Sequence, residues 1–371
     1  MSSRVFQAPG RVNLIGEFTD YNDGFVMPAA VEFSTTVAVT KRPDRMLGMH
    51  SANMNQHREF PLDDSSAQSA RDWSDYVRGV AVILEQLGHR LHGADLEIHG
   101  DVPMGAGLSS SASIEVATAL ALIGVSGLSL GRKEIAELCQ RAENEFAGSR
   151  CGIMDQFISC FGKAGHALLL DCRSLDYRLI PLPSGVRLVI CNTMVRHQHS
   201  SGEYNNRRAD CEAGVRHFSR VLPHVRALRD VTLDDLSRYG DGLADPVYRR
   251  CRHVISENAR VERAAQALEQ SDLDTLGTLM GESHCSLRDD FEVSCPELDL
   301  MVDLALASPG IRGARMTGGG FGGCAIGLVE QDRVDDFVKN VQDGYRKATG
   351  TTPELYVTAA ADGAREVLPA A

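Results

Sequence analysis

Long apolar runs and closely paired cysteines are both missing from this 371-residue sequence. No stretch approaches the roughly 20 apolar residues of a membrane-spanning helix, and the N-terminus lacks the basic-then-apolar layout of a secretory signal. The ten cysteines stand singly, without a C-x-x-C pair, which predicts reduced, mostly buried thiols. We therefore expect a cytoplasmic protein without a membrane partner.

Basic residues are too few for a nucleic-acid-binding face. The sequence has 38 Lys and Arg against 50 Asp and Glu, a formal net charge of −12, and no basic stripe offsets this balance. We therefore expect no general affinity for nucleic acids or acidic membranes. An anionic substrate would need a local binding site.

A compact set of metal ligands is also missing. His197 and His199 form an H-x-H pair, but no third ligand cluster lies near them in sequence. Short motifs of this kind match by chance often. A solvated loop is the simpler interpretation of the pair.

The strongest positive signal is a glycine–serine run that opens into an apolar helical pattern. It spans residues 103–113, with the sequence PMGAGLSSSAS. Glycines let the backbone approach an anion closely, and the N-terminus of the following helix adds free N–H groups and a positive dipole end. The run lacks the Gly-Lys-Ser/Thr of a P-loop and the acid of a dinucleotide-binding motif. It predicts a nucleotide phosphate site of another architecture.

Hydrophobic periodicity predicts an α+β protein. Strand patterns occur at 37–39, 94–98, 167–170, 187–191 and 324–329, and helical patterns at 72–88, 111–125, 132–146, 206–222, 248–268, 273–285 and 296–307. A glycine-rich turn is expected at 313–323. The length favours two domains, and we expect the change near 181–184.

The N-terminal segment 10–22 holds one cation and two carboxylates, Arg11, Glu17 and Asp20, in an otherwise apolar stretch. Such groups are costly to bury unless they are paired. Two interpretations stay open at this point. The charges pair with one another in a structural turn, or the carboxylates bind the hydroxyls of a sugar.

Two further acids lie beside apolar helical patterns. Asp155 falls near the start of a predicted helix, where a cap or dipole partner is the simplest role. Glu143 lies on the shoulder of the apolar stripe of 132–146. A magnesium ion would explain it, but Glu145 on the opposite shoulder shows that such edges also tolerate acids.

Taken together, these segments resemble the GHMP small-molecule kinases over nearly the whole chain. The resemblance rests on 10–22, 103–113, 151–157, 201–204 with 207–208, and 317–323. It implies a two-domain α+β architecture. The N-terminal domain, 1–182, would be ribosomal-protein-S5-like and bind nucleotide and sugar, and a ferredoxin-like C-terminal domain, 183–371, would complete the cleft.

The resemblance also implies roles for individual residues. Asp155 would be the catalytic base, and Arg11 would favour its ionised form and the developing phosphoryl charge. The implied sugar-binding positions are Glu17, Phe18, Asp20, Gly152 and Tyr204. The implied nucleotide-binding positions are Trp73, Gly105, Ala106, Gly107, Leu108, Ser109, Ser110 and Ser111, although Trp73 also suits the core stripe of its helix. Ser111 and Glu143 would hold magnesium.

Within the family, the sequence is most similar to kinases that phosphorylate the anomeric hydroxyl of galactose with ATP and Mg²⁺. The implied partners are a small sugar and ATP, with the chain a monomer or weak homo-oligomer. Those kinases usually have histidine, towards C6 of the sugar, where this chain has Phe18, so relaxed specificity at C6 is expected. A kinase for galacturonate or N-acetylgalactosamine and a non-catalytic sugar and ATP sensor stay open as alternatives, although Asp155 and the unbroken serine run favour an enzyme.

Overall fold

The computed structural model describes residues 3–64, 69–103, 106–196 and 200–368. Its strands are β1 (Arg4–Asn13), β2 (Phe25–Val26), β3 (Pro28–Lys41), β4 (Met46–Ser51), β5 (Gln56–Pro61), β6 (Ala94–Gly100), β7 (His166–Asp171), β8 (Tyr177–Pro181), β9 (Val186–Arg196), β10 (Ile311–Thr317), β11 (Gly322–Glu330), β12 (Glu354–Thr358) and β13 (Arg365–Val367). Its helices are α1 (Ser74–Gln86), α2 (Ser110–Ser126), α3 (Arg132–Ala142), α4 (Met154–Phe161), α5 (Ser200–Phe218), α6 (Leu233–Tyr239), α7 (Asp245–Glu269), α8 (Leu273–Asp289), α9 (Pro296–Leu306) and α10 (Val334–Thr349). None of the helices in these ranges is long and apolar enough to cross a bilayer.

The first sheet has the strand order β13-β1-β3-β6-β4-β5, and only β4 and β6 run parallel. Helix α2 packs on this sheet, where Val116 and Leu122 join Val37, Leu96 and Ile98 in one core. The helix is apolar nearly all round because α1, α3 and α4 cover its other sides. Its N-terminal part lies against β1, where the Ser113 hydroxyl donates to the Ala8 carbonyl at 2.8 Å.

The second sheet is antiparallel, in the order β10-β11-β9-β12. Successive residues of β9 point to opposite faces, as a strand requires. Val189 packs with Met301 of α9 and Phe337 of α10, whereas Ile190 packs with Met280 of α8. Helices therefore cover both faces. A third sheet, β2-β7-β8, contacts β3 of the first sheet and helix α7.

The last strand returns to the first sheet, because β13 pairs with β1 through Val5 and Val367. The predicted boundary at residue 182 assigns β13 to the C-terminal domain, and so it did not anticipate that this strand joins the first sheet. The division into 1–182 and 183–371 stays a prediction.

The glycine-rich turn predicted at 313–323 is wrong in its first part. Residues up to Thr317 belong to β10, and the turn is confined to 318–321. Gly313 lies in the strand. Helix α8 approaches it so closely that a Cβ on residue 313 would lie 2.5 Å from the Cα of Gly277. Close packing, and not chain reversal, therefore requires that glycine.

The observed helices differ from the predictions at several points, and α6 was not predicted. The α-helix expected over 132–146 ends at Ala142 and continues as a π-helical turn, Glu143–Ala147. Helix α10 was not predicted, although Val334, Phe337, Val341 and Tyr345 repeat at helical spacing and are buried. That periodicity was a readable signal.

Candidate active site

Arg11 and Asp155 form a two-pronged ion pair between β1 and the first turn of α4. Arg11 Nε donates to Asp155 Oδ1 and Nη2 to Oδ2, both at 2.7 Å. The Arg11 side chain is 7% exposed and that of Asp155 is 23% exposed. A planar fork of this kind balances the charge of the carboxylate and fixes its plane. The carboxylate nevertheless keeps an open side.

The glycine–serine loop lies against this pair. Arg11 donates through Nη1 to the Gly107 carbonyl, at 2.6 Å, and through its backbone N–H to the Leu108 carbonyl, at 3.0 Å. Ser109 precedes α2 with left-handed backbone angles, φ 57° and ψ 51°. Its hydroxyl donates to Asp155 Oδ2 and does not cap the helix. The loop and the proposed base are therefore direct neighbours.

The predicted phosphate-binding residues fall into two groups. Ala106, Gly107, Leu108 and Ser109 form the loop, and Ser110 and Ser111 form the first turn of α2. Gly105 lies outside the described residues.

A second glycine turn, 318–321, approaches the loop from the C-terminal half. A Cβ on Gly318, which has φ +79°, would lie 3.0 Å from the Gly107 carbonyl oxygen. Only glycine combines this approach with a positive φ at no steric cost. The turn within the motif predicted at 317–323 therefore lies directly against the glycine–serine loop.

A cavity of about 170 Å³ lies beside the start of α2. Its lining includes Trp73 and Tyr76, together with Ser110, Ser111 and Ile114. Trp73 also packs against the first core, so the site and core interpretations of this residue are compatible. An apolar cavity next to a phosphate loop suits a nucleotide base.

Ser111 and Glu143 come together although they belong to different helical elements. The Ser111 side chain hydrogen-bonds to the Glu143 carboxyl, and burial followed by the charge of Asp155 raises the pKa of Glu143 to about 7. Glu143 begins the π-helical turn, a distortion that is common at functional sites. One carboxylate and one hydroxyl oxygen fit Mg²⁺, which takes few protein ligands and keeps waters and substrate phosphates.

The Asp20 carboxylate lies close to the start of α4. It accepts from the backbone N–H of Tyr21 at 2.9 Å and from that of Met154. A Cβ on Gly152 would lie 2.0 Å from Asp20 Oδ2, so glycine is required there. Burial and the negative charge of Asp155 raise the pKa of Asp20 to about 6.

Glu17 is 2% exposed and is held from three sides. Arg315 Nη2 lies 2.5 Å from Oε2, Asn13 Nδ2 donates to the same oxygen at 2.8 Å, and the Gly318 N–H donates to Oε1 at 3.0 Å. Burial raises the pKa of Glu17, and Arg315 opposes this shift. Glu17 thus joins the N-terminal segment to the second glycine turn, and its sugar contact stays a prediction.

The charges of segment 10–22 do not pair with one another, so that structural interpretation is wrong. Arg11 pairs with Asp155, and Glu17 pairs with Arg315. Both partners lie far along the chain, and sequence spacing carries no information about such distant pairs.

Phe18 lies in an aromatic cluster beside Asp20. Its ring centroid is 4.5 Å from that of Phe291 and 5.7 Å from that of Tyr204, and the residue is 5% exposed. Tyr21 completes the cluster at 5.8 Å from Tyr204. Burial, then the charge of Asp20, raises the pKa of Tyr204 well above its usual value. Tyr204 is therefore close to the acid with which it was predicted to act.

The predicted H-x-H pair, His197 and His199, lies outside the described residues. Within the described part of the chain, no group of three or more His, Cys, Asp and Glu residues forms a metal site. The Ser111 and Glu143 pair is consistent with this finding, since serine is not in that set.

Sequence reasoning missed several buried polar residues behind the site, notably Glu115, Gln156, Glu257 and Arg315, each 0% exposed. A signal existed for two of them. Glu115 is a lone acid in the nearly all-apolar pattern 111–125, and Gln156 follows the proposed base. Glu257 and Arg315 carry no local sign of their shared network.

Models of known families match both halves of the chain. The description "GHMP kinases N terminal domain" matches residues 75–163, and "GHMP kinases C terminal" matches 264–347. A "Galactokinase galactose-binding signature" matches 2–41, the segment that carries Arg11, Glu17 and Asp20. The fold is thus that of the GHMP small-molecule kinases.

Individual relatives narrow the assignment. The chain is 50% identical to the galactokinase of Chloroflexus aggregans, covering 97% of this chain and 93% of that protein. It is 47% identical to the galactokinase of Roseiflexus sp., covering 98% and 93%. The crystal structure of Lactococcus lactis galactokinase complexed with galactose matches with a TM-score of 0.95 at 35% identity, covering 99% and 95%. The chain belongs to the galactokinase family.

More distant structures share the fold alone. A mevalonate kinase superposes with a TM-score of 0.68 at 18% identity, covering 96% of this chain and 98% of that one. The predicted family and the two-domain α+β architecture are confirmed, and ATP with Mg²⁺ are the cofactors. The role of each site residue stays a prediction.

Proposed function

We infer that this chain transfers the γ-phosphoryl group of ATP to the anomeric hydroxyl of galactose, giving galactose 1-phosphate and ADP. The observation that carries this inference is the contact between Ser109 of the phosphate loop and Asp155. Donor phosphates held by the loop and an acceptor hydroxyl held at Asp155 would be adjacent. Identity of 47–50% to galactokinases supports the choice of sugar.

Asp155 is proposed to take the proton of the attacking hydroxyl from its open side. A positioned base typically contributes about 10²–10⁴ in rate. Arg11 holds the carboxylate plane through two hydrogen bonds and adds positive charge near the transferred group. Phosphoryl transfer asks mainly for positioning and charge stabilisation.

The phosphates are proposed to lie at the loop 106–109 and the N-terminus of α2, where backbone N–H groups and the helix dipole favour anions. Ser111 and Glu143 are the residues that would hold Mg²⁺, which would offset the negative charge of the phosphates. Trp73 would contact the base in the neighbouring cavity. The contribution of Gly105 is proposed from the motif alone.

Asp20, Gly152 and Tyr204 are proposed to contact sugar hydroxyls. With a pKa of about 6, Asp20 is ionised and acts as an acceptor at neutral pH. Glu17 is proposed to act on the sugar pocket through its buried contacts with Arg315 and Gly318.

ADP release measured with a hexose panel tests this function. We expect galactose to give the highest kcat/KM among galactose, galacturonate, N-acetylgalactosamine and glucose, and phosphorus NMR to show the product as a 1-phosphate. A higher kcat/KM for one of the other sugars would assign the chain to that sugar. Binding of sugar and ATP without any turnover would instead support the sensor alternative.

We also propose relaxed specificity at C6, since the Phe18 ring offers no hydrogen-bonding group. Comparing kcat/KM for galactose and 6-deoxygalactose is the test, and we expect a ratio below about 10. A loss of about 10⁴ or more on deoxygenation, typical of a site built to hydrogen-bond a hydroxyl, would refute the proposal. Phe18→His should increase the ratio, provided that thermal unfolding shows an intact aromatic cluster.

We propose a cytoplasmic location and a monomer or weak homo-oligomer. Buried thiols such as Cys139, Cys160 and Cys211 form no disulfide, which suits a reducing compartment. Light scattering across a concentration series would measure the oligomeric state. The net charge of −12 supports the absence of a nucleic-acid partner.

A further inference from the structure

Gln156 follows the proposed base directly but points into the interior. It is 0% exposed, and its Nε2 donates to Glu143 Oε2 at 2.6 Å and to Glu115 Oε2 at 3.1 Å. One amide nitrogen therefore bridges two buried carboxyl groups. The three residues come from α4, from the π-helical turn and from α2, the elements that carry the base, a proposed metal ligand and the phosphate-binding N-terminus.

This buried cluster is a poor device for stability alone. Two buried carboxyl groups share one donor, and neither Glu115 Oε1 nor Gln156 Oε1 has a hydrogen-bond partner among the described residues. Buried polar groups left partly unsatisfied are costly, and well-packed apolar side chains would often serve stability as well. The arrangement therefore indicates a role other than stabilising the core.

The contacts of Glu143 indicate that the cluster orients its carboxyl group. The Ser111 hydroxyl contacts its carboxyl on the side of the phosphate loop, and the Gln156 amide holds Oε2 from the interior. Glu143 is 7% exposed, and these contacts hold its carboxyl together with a longer one from Cys151 Sγ to Oε2, at 3.5 Å. Groups that orient a metal ligand from behind typically change metal affinity by about 10- to 100-fold when removed.

We propose that Gln156 is a positioning residue that holds Glu143 in place for the metal ion, with Glu115 as the fixed support behind it. The proposal rests on the proposed function, which gives Glu143 its role. Because Asp155 and Gln156 are consecutive on one helix, about 100° apart around its axis, a displacement of α4 would move the base together with the amide that holds Glu143. The cluster would thereby fix the position of Glu143 relative to Asp155.

Mn²⁺ binding to the complex of the protein with ADP tests this proposal without turnover, by electron paramagnetic resonance. Gln156→Met keeps the side-chain length and removes the donor, and we expect it to weaken Mn²⁺ binding by about 10- to 100-fold. Galactose affinity, measured by calorimetry, should change by less than about threefold. In the kinetic assay the Mg²⁺ concentration for half-maximal rate should rise in the same ratio, with KM for galactose little changed.

Ser159→Ala is the matched control. Ser159 lies on the same helix, is 1% exposed and donates to the Pro9 carbonyl at 2.8 Å. Its loss should lower the unfolding temperature without changing Mn²⁺ affinity. A purely structural role for Gln156 would make the two variants behave alike.

Gln156→Asn keeps the donor but draws it back by one methylene, and we expect a smaller loss of about 3- to 10-fold. It decides the question if the methionine variant does not fold. Unchanged Mn²⁺ affinity in either folded variant would overturn the proposal. Failure of the wild-type protein to phosphorylate galactose would overturn the proposed function instead, because the Mn²⁺ measurement does not depend on that reaction.

Discussion

Two buried arginines pair with carboxylates that differ in their exposure to solvent. Arg11 is 6% exposed and faces Asp155, whose side chain remains 23% exposed. Arg315 is 0% exposed and faces Glu17 and Glu257, which are 2% and 0% exposed. Only the first pair leaves a carboxylate edge open to a cleft. An ion pair becomes a site when one member keeps access to a substrate.

The enclosed pair belongs to a larger network. Glu257 accepts from the Gly16 N–H at 2.9 Å, from Arg260 Nε at 2.7 Å and from the Ser283 hydroxyl at 2.6 Å. Burial alone would raise the pKa of Glu257, but the nearby cations, led by Arg260, lower it to about 2. This network fixes the N-terminal segment against α7 and α8.

The largest expected effect comes from removing the open carboxylate. Asp155→Asn should lower kcat by about 10²–10⁴ while ATP affinity, measured by calorimetry, stays within a few fold, because the loop and α2 still hold the phosphates. Asp241→Asn, at an exposed position, is the control and should keep full activity. Retention of most of the activity by the Asp155 variant would remove this residue from the role of base.

The enclosed pair should matter most for stability. Arg315→Met leaves Glu17 and Glu257 buried without their shared cation, and breaking such a pair costs about 3–5 kcal/mol. Denaturant unfolding measures this loss. Arg11→Met should cost less, because water reaches Asp155. Equal losses of unfolding free energy in the two variants would contradict the prediction that the enclosed pair contributes more to stability than the open one.

The smallest expected effect is on stability and comes from Asp20. This carboxylate lies near Asp155 but, unlike Asp155 and Glu17, forms no ion pair with an arginine in the described part of the chain. Its folded pKa of about 6 exceeds the usual 3.8, so the folded state binds the proton more tightly. The stability that Asp20 contributes is therefore present at low pH and is lost as pH rises through this window. Asp20→Asn should unfold about 3 °C higher than wild type at pH 7, with the difference shrinking towards pH 4. A constant difference would contradict the assigned cause.

Much of the candidate site was predictable because its motifs are local. The loop up to Ser111, the helix start at Asp155 and the acid Glu143 each carry their signal within a few residues. The α-helix boundary at Glu143 was not predictable, since the π-helical turn depends on tertiary contacts. Likewise, nothing near Arg315 reveals that it will meet Glu17, about 300 positions away, because side-chain pairing across the core leaves no periodic pattern.

The pairing of β13 with β1 has a consequence for biosynthesis. The strand that holds Arg11 gains its outer neighbour only when residues 365–367 have left the ribosome. Until then, one edge of β1 carries unpaired backbone groups able to recruit foreign strands. The first sheet, whose strand β1 carries Arg11, is thus expected to be complete only after the C-terminal half of the chain has been synthesised.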